Sequence, residues 1–220
     1  MITRRNVLGS LLFAAAALFA ACGGPQQLKG DDEAGGAPVK RGVKPEPDAE
    51  AAVLEVESGG VSYGRIVVEL YPNVAPKMVE RFKRLVREGF YNGTAFHRIN
   101  PRTGVVQGGD PNSKDDDPSN DGMGGSAYEN VPAEFSDLPF DRGTVGAARG
   151  RDVNSANSQF YITLHRVPQW DTQYTAFGKV IEGMNNADII AGAPTLPGSE
   201  NPAEKIVIKS ATLQPRAGFK

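Results

Sequence analysis

The segment FHRINPRTGVVQGGD, from Phe96 to Asp110, is the most informative stretch of this chain for its fold. An arginine, Arg98, lies in an apolar run before a loop broken by proline and glycine, and a β-branched pair then ends in Gln107. Apolar and β-branched runs on either side of such a loop are typical of two neighbouring strands. The segment therefore predicts a strand pair that presents one cation, Arg98, and one amide, Gln107, to a groove.

The composition of the chain indicates an ordinary globular domain with appendages. Of 220 residues, 40% are hydrophobic and 23% are charged, and the formal net charge is −2. Because this balance provides no basic field to attract phosphates, we expect no nucleic-acid partner. Cys22 is the only cysteine, so an intramolecular disulfide is excluded and the core alone must hold the fold.

Residues 1–22 predict an export signal. Arg4 and Arg5 form a cationic start, and an uncharged run continues to Ala21, directly before Cys22. The run is too short to span a bilayer, which needs roughly 20 apolar helical residues. Leu18–Cys22 resembles a bacterial lipobox, which implies that Cys22 is lipidated and anchors the protein in the cell envelope. Thr3–Leu8 also resembles a twin-arginine signal, so the export route stays open. The sequence also leaves open whether the anchor lies in the inner or the outer membrane.

Residues 23–52 predict a disordered tether. They contain no aromatic residue, they are rich in glycine and proline, and acidic and basic side chains alternate irregularly. Such a segment buries too little apolar surface to offset the entropy lost on ordering. We therefore expect the folded domain to comprise residues 53–215.

Short β-branched runs dominate the rest of the chain. Val53–Glu57 and Gly64–Leu70 predict an antiparallel pair, and the apolar stripe after Pro76 predicts a helix that ends near Gly89. Further predicted elements are strands at 143–149, 158–164, 176–181 and 205–209, and a helix at 184–191. Because strands and helices do not alternate, a closed, mostly antiparallel sheet is expected.

The loop 111–125 is rich in aspartate and asparagine. Asp117–Gly122 mimics the start of a calcium-binding loop, but Tyr128 stands where that loop requires an acid. The sequence therefore predicts no metal site in this loop.

From Val53 to Leu213 the chain resembles a cyclophilin, a peptidyl-prolyl cis/trans isomerase. The resemblance lies in an ordered series of motifs: EGFYNGT at 88–94, FHR at 96–98, QGGD at 107–110, GTV at 143–145, NSANSQF at 154–160, and FGKV at 177–180 followed by GM at 183–184. It implies a closed eight-stranded antiparallel β-barrel capped by two α-helices, with a peptide groove on the outside of the barrel.

The resemblance also implies a chemistry without a nucleophile, metal or cofactor. Rotation about an X-Pro bond must overcome a barrier of about 18–20 kcal/mol, and no bond between heavy atoms breaks. In the twisted state the prolyl nitrogen regains a lone pair, which a fixed cation can then hydrogen-bond. Arg98 stands at the catalytic position, and Gln107 is expected to orient its guanidinium. His97 points to the opposite face as a core residue, and His165 has no predicted role.

The same resemblance implies a proline pocket with five substrate-binding residues: Val105, Ala148, Tyr161, Trp170 and Tyr174. Phe160, next to Tyr161, is expected in the core. The family's groove tryptophan can be aligned with either Trp170 or Gln169. The chain departs from the family where Gly104 replaces a phenylalanine in a loop one residue longer than usual, and where Tyr161 replaces another. These departures bear on both activity and the binding of cyclosporin.

Two functional hypotheses follow from these motifs. The first is an exported, membrane-tethered prolyl isomerase that assists the folding of envelope proteins. The second is a non-catalytic binding or chaperone module that uses the same groove. Both take proline-containing polypeptides as partners, and a monomer is expected.

Overall fold

The computed structural model describes residues 37–220, and every structural statement below refers to that range. Within it lie ten strands, β1 to β10, and two α-helices. In chain order these are β1 (Val39–Lys40), β2 (Glu50–Ser58), β3 (Val61–Leu70), α1 (Pro76–Arg87), β4 (Arg98–Asn100), β5 (Val105–Gly108), β6 (Phe135–Ser136), β7 (Thr144–Ala147), β8 (Phe160–Thr163), β9 (Ala176–Glu182), α2 (Met184–Ala191) and β10 (Ile206–Pro215).

The predicted strand pair near the start of the domain is confirmed. β2 and β3 run antiparallel around a turn at Gly59 and Gly60, whose φ angles are +55° and +79°. A positive φ at both turn positions matches the right-handed twist of the flanking strands and strongly favours glycine. This hairpin begins an antiparallel sheet of eight strands in the order β10-β2-β3-β9-β7-β8-β5-β4.

The closed barrel expected from the sequence is wrong, because the sheet is curled but open between β4 and β10. β4 has only three residues, and the chain just before it meets β10 through one isolated bridge between Ala95 and Val207. Backbone bonds from Phe96 N to Ile206 O (2.8 Å) and from Ile208 N to Thr94 O (2.7 Å) tie the two edges together. A strand this short cannot extend that contact into a ladder.

The two predicted helices are confirmed, and α1 packs one face on the sheet. Its buried face is the predicted apolar stripe of Met78, Val79, Phe82, Leu85 and Val86. No side chain of its own N-cap residue satisfies the first turn. Instead, the distant carboxylate of Glu134 accepts hydrogen bonds from Lys77 N (3.1 Å) and Met78 N (3.0 Å). A carboxylate at this position also favours the positive end of the helix dipole.

The predicted tether is wrong for residues 37–52, which lie against the domain. β1 pairs in parallel with β6, and Lys40 Nζ donates to Val74 O at 2.8 Å. Lys83 Nζ on α1 contacts the carboxylates of Asp48 (2.7 Å) and Glu50 (3.0 Å). The segment is held by ion pairs and backbone bonds and contributes little apolar burial, which is why its composition predicted disorder. Residues 1–36, including the predicted signal and Cys22, lie outside the described residues.

The domain also continues beyond the predicted end at residue 215. Arg216 pairs with the carboxylate of Glu69, and Phe219 packs against a small apolar cluster that includes Ala51 and Val53. The main core lies between the sheet and the helices, where Phe82 contacts the rings of Phe160 and Phe177. In the part of the chain that the structure describes, no helix is long and apolar enough to cross a membrane.

Candidate functional site

A row of side chains crosses four strands on the face of the sheet that points away from the main core. Arg98 of β4 is the register partner of Gln107 of β5, Gln107 is the partner of Tyr161 of β8, and Tyr161 is the partner of Gly146 of β7. Register partners point to the same face, and adjacent strands are about 4.8 Å apart. The Arg98 and Tyr161 backbones are therefore about 10 Å apart, with Gln107 between them.

The guanidinium of Arg98 is held from two sides. Its Nη1 donates to Gln107 Oε1 at 3.3 Å, which confirms the predicted bond between these residues, and its Nε donates to Glu200 Oε2 at 2.5 Å. Among residues 37–220, Nη2 makes no hydrogen bond with another group. One edge of the guanidinium is thus anchored, while Nη2 is available to a bound molecule.

Gln107 and Glu200 are themselves fixed by neighbours. Gln107 Nε2 donates to Gln159 Oε1 at 2.9 Å, and Gln159 Nε2 donates to Gly124 O at 2.8 Å. This chain of amides orients the Gln107 oxygen toward Arg98. The other carboxylate oxygen of Glu200 accepts a bond from the Asn100 amide. Sequence reasoning missed both Gln159 and Glu200; Gln159 was visible in the NSANSQF motif, whereas Glu200 lies in a loop with no motif around it.

An apolar cluster, here called the outer cluster, continues the row beyond Gln107. It contains all five predicted substrate-binding residues together with other buried and half-buried side chains: Val105, Ala148, Tyr161, Trp170, Tyr174, Leu138, Phe140, Val167 and Ala176. Phe160, the neighbour of Tyr161 on the strand, points the other way into the main core, as the family resemblance implied.

The indole of Trp170 packs in the outer cluster, and the side chain of Gln169 is not part of that cluster. Its ring centroid lies 5.0 Å from that of Tyr161 and 5.2 Å from that of Tyr174. The loop that carries it is held by Asp171, whose carboxylate accepts bonds from Phe140 N (2.9 Å) and Arg166 Nη1 (2.8 Å). Which of Trp170 and Gln169 takes the place of the family's groove tryptophan stays a prediction.

Comparison with known proteins gives the family of this arrangement. The profile of the family described as "Cyclophilin type peptidyl-prolyl cis-trans isomerase/CLD" matches residues 53–213. The chain belongs to the cyclophilin family. It is a peptidyl-prolyl cis-trans isomerase by family, as the resemblance of its motifs implied.

Relatives and solved structures agree with this cyclophilin assignment. A "Probable peptidyl-prolyl cis-trans isomerase" of Brucella suis is 47% identical over 156 residues, which cover 69% of this chain and 78% of that protein. A peptidyl-prolyl cis-trans isomerase of Arabidopsis thaliana is 35% identical over 157 residues, covering 71% and 68%. A Cryptosporidium parvum cyclophilin, crystallised in the presence of the dipeptide Ala-Pro, has a TM-score of 0.65 at 28% identity, covering 74% of this chain and 98% of that one.

In this cyclophilin the exposed His165, from another loop, lies beside Gly104, the position at which the family resemblance implies a phenylalanine. Gly104 has a φ of +79°, and a Cβ built on it would lie 2.4 Å from Nε2 of His165. The imidazole therefore occupies the space that a side chain at position 104 would enter. His165 received no role from the sequence, because the contact depends on a loop that meets Gly104 only in the folded chain.

Tyr161 is almost completely enclosed, although the family resemblance implies that it lines a substrate pocket. Tyr161 is 3% exposed, its hydroxyl is buried, and no residue of the described range hydrogen-bonds that hydroxyl. A Cβ on Gly146 would lie 2.4 Å from the hydroxyl oxygen, so the ring rests on this glycine. Burial, with a smaller contribution from Tyr174, raises the pKa of Tyr161 well above its usual value, so the phenol is neutral.

Within residues 37–220, no group of three His, Cys, Asp or Glu side chains is placed to hold a metal ion. His97 is 4% exposed, in agreement with its prediction as a buried residue. Burial lowers its pKa, and the nearby Asp110 carboxylate opposes that shift.

Proposed function

We propose that this cyclophilin isomerises X-Pro bonds at the row formed by Arg98, Gln107 and Tyr161. The observation that carries this proposal is the register itself, which sets a cation, an amide and an apolar cluster side by side on one face. The cation suits the developing lone pair, and the cluster suits the proline ring. No proton transfer or covalent intermediate is required.

Arg98 is the proposed catalytic residue, and its free Nη2 is the proposed donor to the prolyl nitrogen. The lone pair on that nitrogen forms only when the amide twists out of conjugation, so the hydrogen bond is strongest in the transition state. Glu200 and Gln107 restrict the guanidinium before substrate arrives, which lowers the entropy lost in the twisted state. Both are positioning residues in this scheme.

The proline ring is proposed to rest on the exposed side of the outer cluster. Ala148, Trp170 and Tyr174 are half-buried, so each has an apolar surface in reach of a ligand, while Val105 and Tyr161 lie beneath. The Cryptosporidium relative, crystallised in the presence of Ala-Pro, supports a dipeptide of this type as the minimal ligand. His165 is proposed to replace the missing aromatic wall beside Gly104, and cyclosporin would have to contact it there.

We test the catalytic proposal with a proline tetrapeptide in an isomerisation assay on the full-length protein. Arg98→Ala is expected to lower kcat/KM by about 10²–10³-fold, the usual effect of removing one transition-state donor. Arg102→Ala is the matched control, because Arg102 is an exposed arginine of the same loop and contacts none of the row. Peptide binding without acceleration by the wild-type protein, or equal losses in both variants, would contradict the proposal.

We propose further that the protein acts in the cell envelope on exported polypeptides, anchored by lipid on Cys22. The support comes from the sequence: a cationic start, an uncharged run and a lipobox-like segment that ends at the only cysteine. Metabolic labelling with an alkyne fatty acid is expected to mark the wild-type chain and to miss Cys22→Ser. Labelling of both, or a Cys22→Ser variant that stays membrane-bound after carbonate washing, would rule out this anchor. These outcomes are independent of the isomerase assay.

A further inference from the structure

A cavity lies beside the segment that precedes β4, where Ala95, Phe96 and His97 form part of its lining. Its volume is about 220 Å³, and its walls combine buried apolar groups with carboxylates; they include Phe96, His97, Asp115, Asp116, Asp121 and Ile206. We call it the acidic cavity. It occupies the open seam of the sheet, where the residues before β4 meet β10, and it shares no lining residue with the outer cluster.

The acidic cavity carries an excess of negative charge. Three carboxylates line it, whereas its one lysine, Lys205, already donates to the main-chain oxygens of Lys114 (2.8 Å) and Asp115 (2.5 Å). The Lys205 ammonium is 3.7 Å from the Asp116 carboxylate, whose side chain is fully exposed at the rim. Burial and the nearby carboxylates of Asp110 and Asp115 raise the pKa of Asp121. One ammonium therefore does not neutralise this group of acids.

An independent observation is that polar groups inside the cavity lack partners. His97 is 4% exposed and lines the cavity, and beyond a weak contact with the Ala95 backbone its ring nitrogens have no hydrogen-bond partner within the described residues. The Asp121 Oδ1 atom is likewise buried and unpaired in that range. Buried polar groups without hydrogen-bond partners are energetically unfavourable, so a ligand that pairs with them is favoured. A carboxylate oxygen accepts, and a neutral imidazole offers one acceptor, so together they suit a ligand with several N–H donors.

The groups that line the acidic cavity favour one class of cation over another. A bare metal ion is disfavoured, since no three His, Cys, Asp or Glu side chains of residues 37–220 are arranged to coordinate one. A guanidinium suits the site better, because its planar fork reaches several acceptors at once and its methylene stem can lie along apolar walls. Those walls are present at Pro118, Leu196 and Ile206.

We propose that the acidic cavity binds an arginine side chain of a polypeptide. The site does not require a proline, so it does not depend on the isomerase proposal. It is close to the catalytic row in the chain, because Glu200 bonds Arg98 while the next residue, Asn201, lines the cavity. A polypeptide with an arginine near its proline can therefore contact both sites across the end of β4.

The test is an NMR titration of the full-length protein with acetyl-Gly-Arg-Gly-amide, which contains no proline. The matched probe is acetyl-Gly-citrulline-Gly-amide, which has a similar shape and no charge. The arginine peptide is expected to bind at least about 10-fold more tightly than the citrulline peptide, because charge-assisted hydrogen bonds are about twice as strong as neutral ones. It is also expected to shift the ring nitrogen signals of His97. Equal affinities, no saturable binding, or an unmoved His97 ring would overturn the proposal.

Variants locate the site. Asp121→Asn is expected to weaken binding of the arginine peptide about 5-fold or more, because it removes the charge of a half-buried carboxylate that lines the cavity. Asp117→Asn is the matched control, because it removes one charge from the same loop but does not line the cavity. Asp116→Asn, at the exposed rim, is the second test variant and keeps the proposal falsifiable should Asp121→Asn misfold. Arg98→Ala is expected to leave this binding unchanged. The proposal would be refuted if Asp117→Asn weakened binding of the arginine peptide as much as both cavity variants do. A weaker affinity in Arg98→Ala would also refute it.

Discussion

The enclosed hydroxyl of Tyr161 allows a sharp prediction about stability. Tyr161→Phe removes a buried group that has no hydrogen-bond partner in the described residues, and it leaves the ring contacts with Trp170 and Phe140 in place. Relief of an unpaired buried hydroxyl contributes about 1–3 kcal/mol. The oxygen leaves a void of roughly 15 Å³, which costs about 0.4 kcal/mol at about 24 cal/mol per Å³. The free energy of unfolding is therefore expected to rise by about 1–2 kcal/mol.

The assay is urea unfolding of the full-length protein, followed by circular dichroism. The midpoint is expected to rise with an unchanged m-value, and the melting temperature to rise by about 2–8 °C. Two matched variants accompany it. Tyr174→Phe alters a half-buried ring of the same cluster and is expected to change the free energy by less than about 0.5 kcal/mol.

The second matched variant has the opposite sign. Tyr91 is fully buried, and its hydroxyl donates to Ser158 O at 2.9 Å. Tyr91→Phe is therefore expected to destabilise the fold by about 0.5–1.5 kcal/mol. Destabilisation of Tyr161→Phe to the same extent as Tyr91→Phe would refute the reasoning, because it would mean that the Tyr161 hydroxyl has a favourable partner.

Three further predictions concern Glu200, Gly104 and His97. Glu200→Gln is expected to lower kcat/KM several-fold. The free energy of unfolding is expected to change by less than about 1 kcal/mol, because the ion pair between Glu200 and Arg98 is about 40% exposed. An unchanged kcat/KM would exclude a positioning role for Glu200. Gly104→Ala is expected to destabilise the fold by about 1–2 kcal/mol through strain at positive φ. The loss is expected to be smaller in a His165→Ala background, because no imidazole then has to move away from the new methyl group. Equal losses in denaturant unfolding would show that the imidazole does not fill this space. Burial lowers the pKa of His97, so the unfolded chain binds the proton more tightly than the folded chain. The contribution of His97 to stability is therefore full above the unfolded pKa of about 6.5 and falls as the pH drops below it. His97→Phe is expected to lose less stability than the wild type between pH 7 and 5, and parallel pH profiles of the two proteins would contradict this.

The helices and the pairing of Arg98 with Gln107 were predictable because their signals are local. The apolar stripe of α1 repeats with helical spacing, and Arg98 and Gln107 flank one short loop, so both were identified from a few neighbouring residues. Glu200 was not, since it lies 102 residues from Arg98 in sequence. Gln159, 52 residues from Gln107, was missed as a partner for the same reason.

The N-terminal boundary was misplaced for a different physical reason. Segment 37–52 is held by hydrogen bonds and by the ion pairs of Asp48 and Glu50 with Lys83, and none of these is visible in its composition. Composition measures how much apolar surface a segment can bury. It cannot show that a cation on a distant helix faces its carboxylates.

The sequence by itself determined which neighbouring residues alternate between the two faces of each strand, because alternation along a strand is a local property of the chain. The resemblance of its motifs to the family also assigned Arg98, Gln107 and Tyr161 to one groove in advance. Only the tertiary structure decided that the sheet stays open between β4 and β10, that His165 lies against Gly104, and that Trp170 covers Tyr161. Each of these depends on which distant segments meet, and that is set by register and packing across the whole sheet.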